Sequence, residues 1–227
     1  VAVGNLNSTD GLSSSSSRGP ATDGRIKPDI CAVGTSVYST ISENSYENKS
    51  GTSMACPGVA GSIAQLYQAY KDINGGNNPP SGLIKGSILN TADDLGNPGP
   101  DFKHGWGRIN THKAFELISQ NNYLSGSIAQ GGNNIHNLTV PSGTVKLKIM
   151  LYWTDYEGAS NASIALVNDL NMQVVDPVAL SFEPWVLNSA PNASTLDDDA
   201  IRAIDALNNM EQVTIENPNI SILFFAG

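Results

Sequence analysis

The sequence predicts an α/β segment over residues 1–121 followed by an all-β segment over residues 122–227. Three observations carry this division. Helical periodicity is confined to the first part, and β-rich runs separated by Gly, Pro and Asn dominate the second. The charge balance also changes: residues 1–121 hold 9 Lys+Arg against 10 Asp+Glu, and residues 122–227 hold 3 against 11. At 227 residues, 40% hydrophobic and 15% charged, the chain has apolar content for one large core or two ordinary ones and lies outside the disordered range.

The elements follow in order. Val1–Gly4 reads as a short apolar strand, and a Ser-rich run then ends in the turn R-G-P. K-P-D-I-C-A-V-G (27–34) is a buried-strand pattern entered through proline and closed by glycine. A hairpin-like stretch occupies 36–50. From Val59 the period becomes helical, with Val59, Ile63, Tyr67 and Tyr70 on one face and Gly75-Gly76 as the stop. A second helix runs from Gly82 to about Thr91 on Leu83, Ile84, Ile88 and Leu89, and a third lies near Thr111–Gln120. Beyond Asn122, V-K-L-K-I-M-L-Y-W (145–153) and L-N-M-Q-V-V (170–175) read as strands of an antiparallel sandwich.

Between hairpin and first helix stands S-G-T-S-M-A-C-P-G-V-A-G (50–61). Read alone, Ser53 fits a helix N-cap. Its small neighbours and the following helix equally fit a reactive hydroxyl at a helix N-terminus, where free amides stabilise a developing oxyanion. Cys31 and Cys56 lie among apolar or small residues and read as small buried hydrophobes, since two thiols make no disulfide framework.

G-T-S-M-A-C-P-G-V-A-G, together with S-S-R-G-P (16–20), K-P-D-I-C-A-V-G (27–34) and H-G-W-G-R-I-N (104–110), resembles the subtilisin-like serine proteases, in family order over about 110 residues. The family's usual nucleophile motif is G-T-S-M-A-x-P-x-V-A-G. Gly58 stands where the family has histidine, Cys56 where serine is common, Ser15 where Phe is frequent, and Val33 where the family has Pro. The resemblance implies that residues 1–121 are the rear half of a doubly wound parallel-sheet domain. It implies that Ser53 is the nucleophile, its own N–H an oxyanion donor, with Gly51 and Thr52 beside the substrate backbone. It further implies serine endopeptidase activity on protein and peptide substrates, without a cofactor for the chemistry, and a secreted location.

Such a site also needs a carboxylate and a histidine that precede the serine. His104, His112 and His136 all follow Ser53, and no D-[ST]-G or H-G-T-H segment is present. The asparagine of the family's oxyanion hole is also absent from the chain. The expectation is therefore a chain cut at both ends, lacking the N-terminal part of its own catalytic domain and inactive alone. A non-catalytic relative, with the β segment as a binding or stabilising module, is the alternative.

V-K-L-K-I-M-L-Y-W-T-D, A-L-V-N-D-L-N and L-N-N-M-E-Q-V are similar to the β-sandwich (jelly-roll) module that follows the protease domain in secreted bacterial subtilases, here expected to lack its last strands. In that family calcium is common. Asp29, Asp155, Asn168 and Asp169 are the candidate ligands for a structural calcium. Asp197–Asp199 reads better as a solvated acidic face, and Asn168-Asp169 equally as a turn. The acidic second part makes a poor nucleic-acid binder, so no nucleic-acid partner is expected, and no apolar run is long enough to span a membrane. Asn-x-Ser/Thr sequons, among them those at Asn7, Asn48, Asn137, Asn161 and Asn192, suit a secreted chain.

Overall fold

A computed structural model describes residues 1–219 and 221–227. Strands β1 (Val3–Leu6) and β2 (Ile30–Val33) pair in parallel, Val3 opposite Ile30 and Leu6 opposite Val33. The H-G-W-G-R-I-N stretch lies along the other side of β2. Cys31 N–H donates to Gly107 O at 2.8 Å, and Ile109 N–H donates to Cys31 O at 2.9 Å. The expected hairpin is β3 (Val37–Ile41) with β4 (Ser45–Lys49), turned by Glu43 and Asn44 at positive φ.

Three helices follow: α1 (Thr52–Ile73), α2 (Ser81–Asn90) and α3 (Thr111–Ser119). Helix α1 buries Ala55, Val59 and Leu66, with Ile63, Tyr67 and Tyr70 half-buried beside them. Asn110 caps α3 by accepting from Lys113 N–H at 3.0 Å. Trp106, Phe102, Ile30 and the inner faces of the helices form the first apolar cluster.

The remaining chain is β structure. Strands β5 (Asn134–Thr139), β7 (Met172–Val175), β8 (Ser181–Phe182) and β12 (Ser221–Ala226) form an antiparallel sheet in the order β5-β12-β7-β8. Strands β6 (Lys146–Tyr152) and β11 (Met210–Glu216) make a separate antiparallel ladder, and β9 (Trp185–Val186) pairs with β10 (Ile201–Arg202).

The β6–β11 ladder decides how the molecule coheres. Strand residues alternate between faces. Leu147, Ile149, Leu151, Val213 and Ile215 pack on the second apolar cluster, against Met172, Val174, Ile222 and Phe224 of the four-stranded sheet. Met150, Tyr152 and Met210 point the other way and join the first cluster, as do Leu187 and Ala200. Helix α2 closes on that face. Asn90 accepts from Gln212 Nε2 at 2.9 Å, Lys148 Nζ donates to Ala92 O at 3.0 Å, and the Lys85 ammonium lies 5.1 Å from the Tyr152 ring centroid.

Candidate active site

The Ser53 turn is built on two glycines. Gly51 N-caps α1 with φ 154° and ψ 166°, a region only glycine occupies readily. Its N–H donates to Gly34 O at 2.8 Å. A side chain on Gly34 would place Cβ 2.5 Å from Gly51 O and 2.8 Å from Ala55 N, so strand end and helix start approach at backbone contact. Ser50 Oγ accepts from Ser36 N–H at 2.8 Å, tying the base of the hairpin to the same turn.

Ser53 is the second helical residue, and no side chain caps the helix, so the N-cap role belongs to Gly51. The amides of Met54 and Ala55 donate to Gly51 O at 3.0 and 3.3 Å. Those of Thr52 and Ser53 have no acceptor among the described residues. Ser53 is exposed, and its hydroxyl makes no hydrogen bond among the described residues. An unbonded hydroxyl therefore stands beside unbonded amides at the positive end of a 22-residue helix, with no acidic residue in its first turn. That arrangement can stabilise an oxyanion formed at Ser53. Pro57 is the sixth helical residue, so its missing N–H forgoes the bond to Ser53 O.

Sequence reading missed Asn5. It is fully buried on β1, and its Oδ1 accepts from Thr35 Oγ1 at 3.2 Å while Nδ2 has no partner. Gly34 lies against the same Oδ1, so Asn5 underlies the Ser53 turn. A polar residue within the apolar strand V-G-N-L was the available signal.

No histidine is bonded to Ser53 among the described residues. His104 is buried, with Nδ1 3.1 Å from Asp101 Oδ2. Burial raises the Asp101 pKa, but hydrogen bonds from His104 outweigh it and hold the carboxyl below its ordinary value. His112 lies 3.5 Å from Glu116 on the exposed side of α3, and His136 stacks on Phe224 with centroids 5.6 Å apart.

The metal candidates do not converge, and no group of three His, Cys, Asp or Glu able to hold an ion occurs among the described residues. Asp29 is buried, pairing with Lys27 and accepting from Ala2 N–H at 2.6 Å. Asp155 and Asn168 do meet, but as a loop staple. Asp155 accepts from Val167 N–H at 2.6 Å and from Asn168 Nδ2 at 2.8 Å. Carboxylate oxygens already filled by N–H donors do not fit a cation. Asp169 is largely exposed, and partial desolvation of its carboxyl, with the nearby Asp205 charge, raises its pKa. Asp197 pairs with Lys103 across 2.8 Å rather than facing solvent alone.

The cysteines divide. Cys31 is buried as expected, and burial pushes its thiol up to about 12. Cys56 is exposed, contrary to expectation, because it lies next to Ala55 on the helix and one residue turns it about 100° from the inward face. Arg108 of H-G-W-G-R-I-N also has an unforeseen role. It bridges Asp10 at 2.7 Å and Asp93 at 2.9 Å, and Lys113 and Asn110 bond to the same Asp93. Burial acts to raise the Asp93 pKa, but bonds from Lys113, Arg108 and Asn110 prevail and bring it down to about 2.

Fold and site together define a mixed α and β chain with a free serine at a glycine-built helix N-terminus. Comparison with known proteins gives the family. The description "Subtilase family" matches residues 1–107, and this segment belongs to that family of subtilisin-like serine proteases. The Minor extracellular protease Vpr of Bacillus subtilis is 37% identical over 139 residues, 55% of this chain and 16% of that protein. Tripeptidyl-peptidase 2 of Drosophila melanogaster is 39% identical over 186 residues, 75% of this chain and 12% of that protein. The chain thus spans less than a fifth of either relative. A solved structure of the Clostridium perfringens CspB protease aligns at 32% identity and TM-score 0.46, covering 51% of this chain and 26% of that one.

Proposed function

We propose that this chain is part of a secreted serine endopeptidase in which Ser53 forms the acyl-enzyme. Residues 1–121 are read as the rear part of its catalytic domain and residues 122–227 as a β-sandwich module of jelly-roll type. The observation that carries the reading is the unbonded Ser53 hydroxyl beside the free amides of Thr52 and Ser53, held by the Gly34–Gly51 contact. In the reaction Ser53 Oγ gives its proton to a base and attacks the scissile carbonyl of an extended peptide. The Ser53 N–H takes a share of the oxyanion charge, the amine leaves with a proton, and water releases the acid. Gly51 and Thr52 lie beside the bound backbone.

The base and the orienting carboxylate are assigned to residues outside this chain, because no histidine bonds to Ser53 among the described residues. Loss of the serine or histidine of such a triad costs on the order of 10⁶ in turnover. A fluorophosphonate should therefore label Ser53 in the full-length protein, leave Ser53→Ala unlabelled, and leave this chain alone unlabelled. Strong labelling of the isolated chain would overturn the division of the site. Calcium enters only as a structural ion, with Asp169 the one candidate carboxylate that accepts no hydrogen bond among the described residues; a lowered unfolding midpoint in chelator is its measurement.

A further inference from the structure

The segment after residue 121 contains only three basic side chains, Lys146, Lys148 and Arg202, against eleven Asp and Glu. All three line a single cavity of about 190 Å³ between the outer face of the β6–β11 ladder and the loop that follows α2. Of the eleven acids only Glu216 lines it, and Asp94 adds one from the first segment. Cations scattered through an acidic segment would lower their energy most by dispersing among its carboxylates. Here they are gathered instead.

Lys146 has a partner, Glu216 at 2.8 Å. The other two have no carboxylate within ion-pair distance among the described residues. Lys148 Nζ donates to Ala92 O at 3.0 Å, while Arg202 donates to Thr214 O at 2.7 Å and Glu183 O at 3.3 Å. The Arg202 guanidinium lies 3.4 Å from the Trp185 ring centroid, and Trp185 Nε1 donates to Thr214 Oγ1 at 3.1 Å, which fixes both groups. Burial brings Arg202 down to about 10, and it lowers Lys148 as well, with the charges of Asp94 and Asp93 only partly offsetting it.

We propose that this cavity binds a small oxyanion, a carboxylate or a phosphate, between Lys148 and Arg202 with Trp185 as its wall. A water occupies about 30 Å³ of liquid volume, so there is room for one oxyanion and a few waters. A guanidinium fork and an ammonium are the donors such an anion takes. The site is separate from the chemistry at Ser53 and stands or falls independently of it.

The test titrates the chain with inorganic phosphate, and separately with a short peptide bearing a free C-terminal carboxylate and its C-terminal amide. Ionic strength is held constant with chloride, and tryptophan fluorescence and the unfolding midpoint are read. A saturable response is expected, weakened about tenfold or more in Arg202→Gln and Lys148→Gln. Response to phosphate alone assigns a free inorganic anion; response to the acid peptide but not its amide assigns a chain terminus. Lys146→Gln, at an exposed position, supplies the reading if either of those variants does not fold, and it too must weaken binding. No saturable response to any probe, or unchanged affinity in the folded variants, overturns the proposal.

Discussion

Glu211 gives the sharpest test of the packing described above. It is fully buried on β11, facing the second cluster with Val213 and Ile215. One oxygen accepts from Met172 N–H at 2.5 Å, and Oε1 has no partner. Burial, with the charges of Asp205 and Asp169 adding to it, pushes the pKa from 4.5 to about 8. An unfolded Glu ionises from about pH 4.5 upward, whereas the folded one keeps its proton until about 8. The Glu211 contribution to stability is therefore complete below about pH 4.5, declines as pH rises, and levels off above about 8. The slope is up to about 1.4 kcal/mol per pH unit, and the whole loss is on the order of 5 kcal/mol. Urea unfolding followed by tryptophan fluorescence at pH 5, 6, 7 and 8 measures it directly. Glu211→Gln keeps an acceptor for Met172 N–H and cannot ionise, so its stability should be nearly flat across that window and should exceed the parent chain's at pH 8. Identical pH profiles for parent and variant would refute the reasoning.

Three further outcomes are expected. Gly34→Ala drives a Cβ into Gly51 O and should cost about 2–3 kcal/mol of stability or displace the Ser53 turn, read by thermal unfolding and by Ser53 labelling in the full-length protein. A maleimide at neutral pH should modify Cys56 in the folded chain and reach Cys31 only after denaturation, because Cys31 is buried with its thiol at about 12; equal rates at the two would contradict the fold. Arg108→Leu should lower stability by about 1 kcal/mol, a small figure because the pairs are partly exposed. The same variant should weaken the acid-side loss expected as pH falls from about 4 toward 2, the range set by Asp93; an unchanged acid limb measured by urea midpoints would count against this network.

Much of the site was legible because it is written locally. The G-T-S-M-A run places glycine, serine and helix start in one stretch, so its geometry depends on few distant residues. The helices were equally readable from period, although Leu66, the largest fully buried side chain on α1, was not among the expected face. What escaped is non-local. Arg108 joins Asp10 and Asp93 across 98 and 15 residues of sequence, and nothing in R-I-N reveals those partners. Asn5 reads as an anomaly in a strand until Gly34 and Thr35 are folded against it. The Asp155–Asn168 staple escaped for a related reason. Sequence offers the oxygens of Asp155 and Asn168, but only the fold shows that backbone and amide N–H groups have already claimed them.

The β6–β11 ladder has a mechanical consequence. Because one face belongs to each apolar cluster, its seven paired rungs are shared property, and neither half of the chain keeps a complete core without them. A break in composition near residue 121 is thus no line of cleavage. Strain introduced at Phe224 or Val174 on the far sheet reaches α2 through two layers of contact. Helix α1, whose N-terminal end carries Ser53, shares the first cluster with strands that lie more than seventy residues later in the sequence.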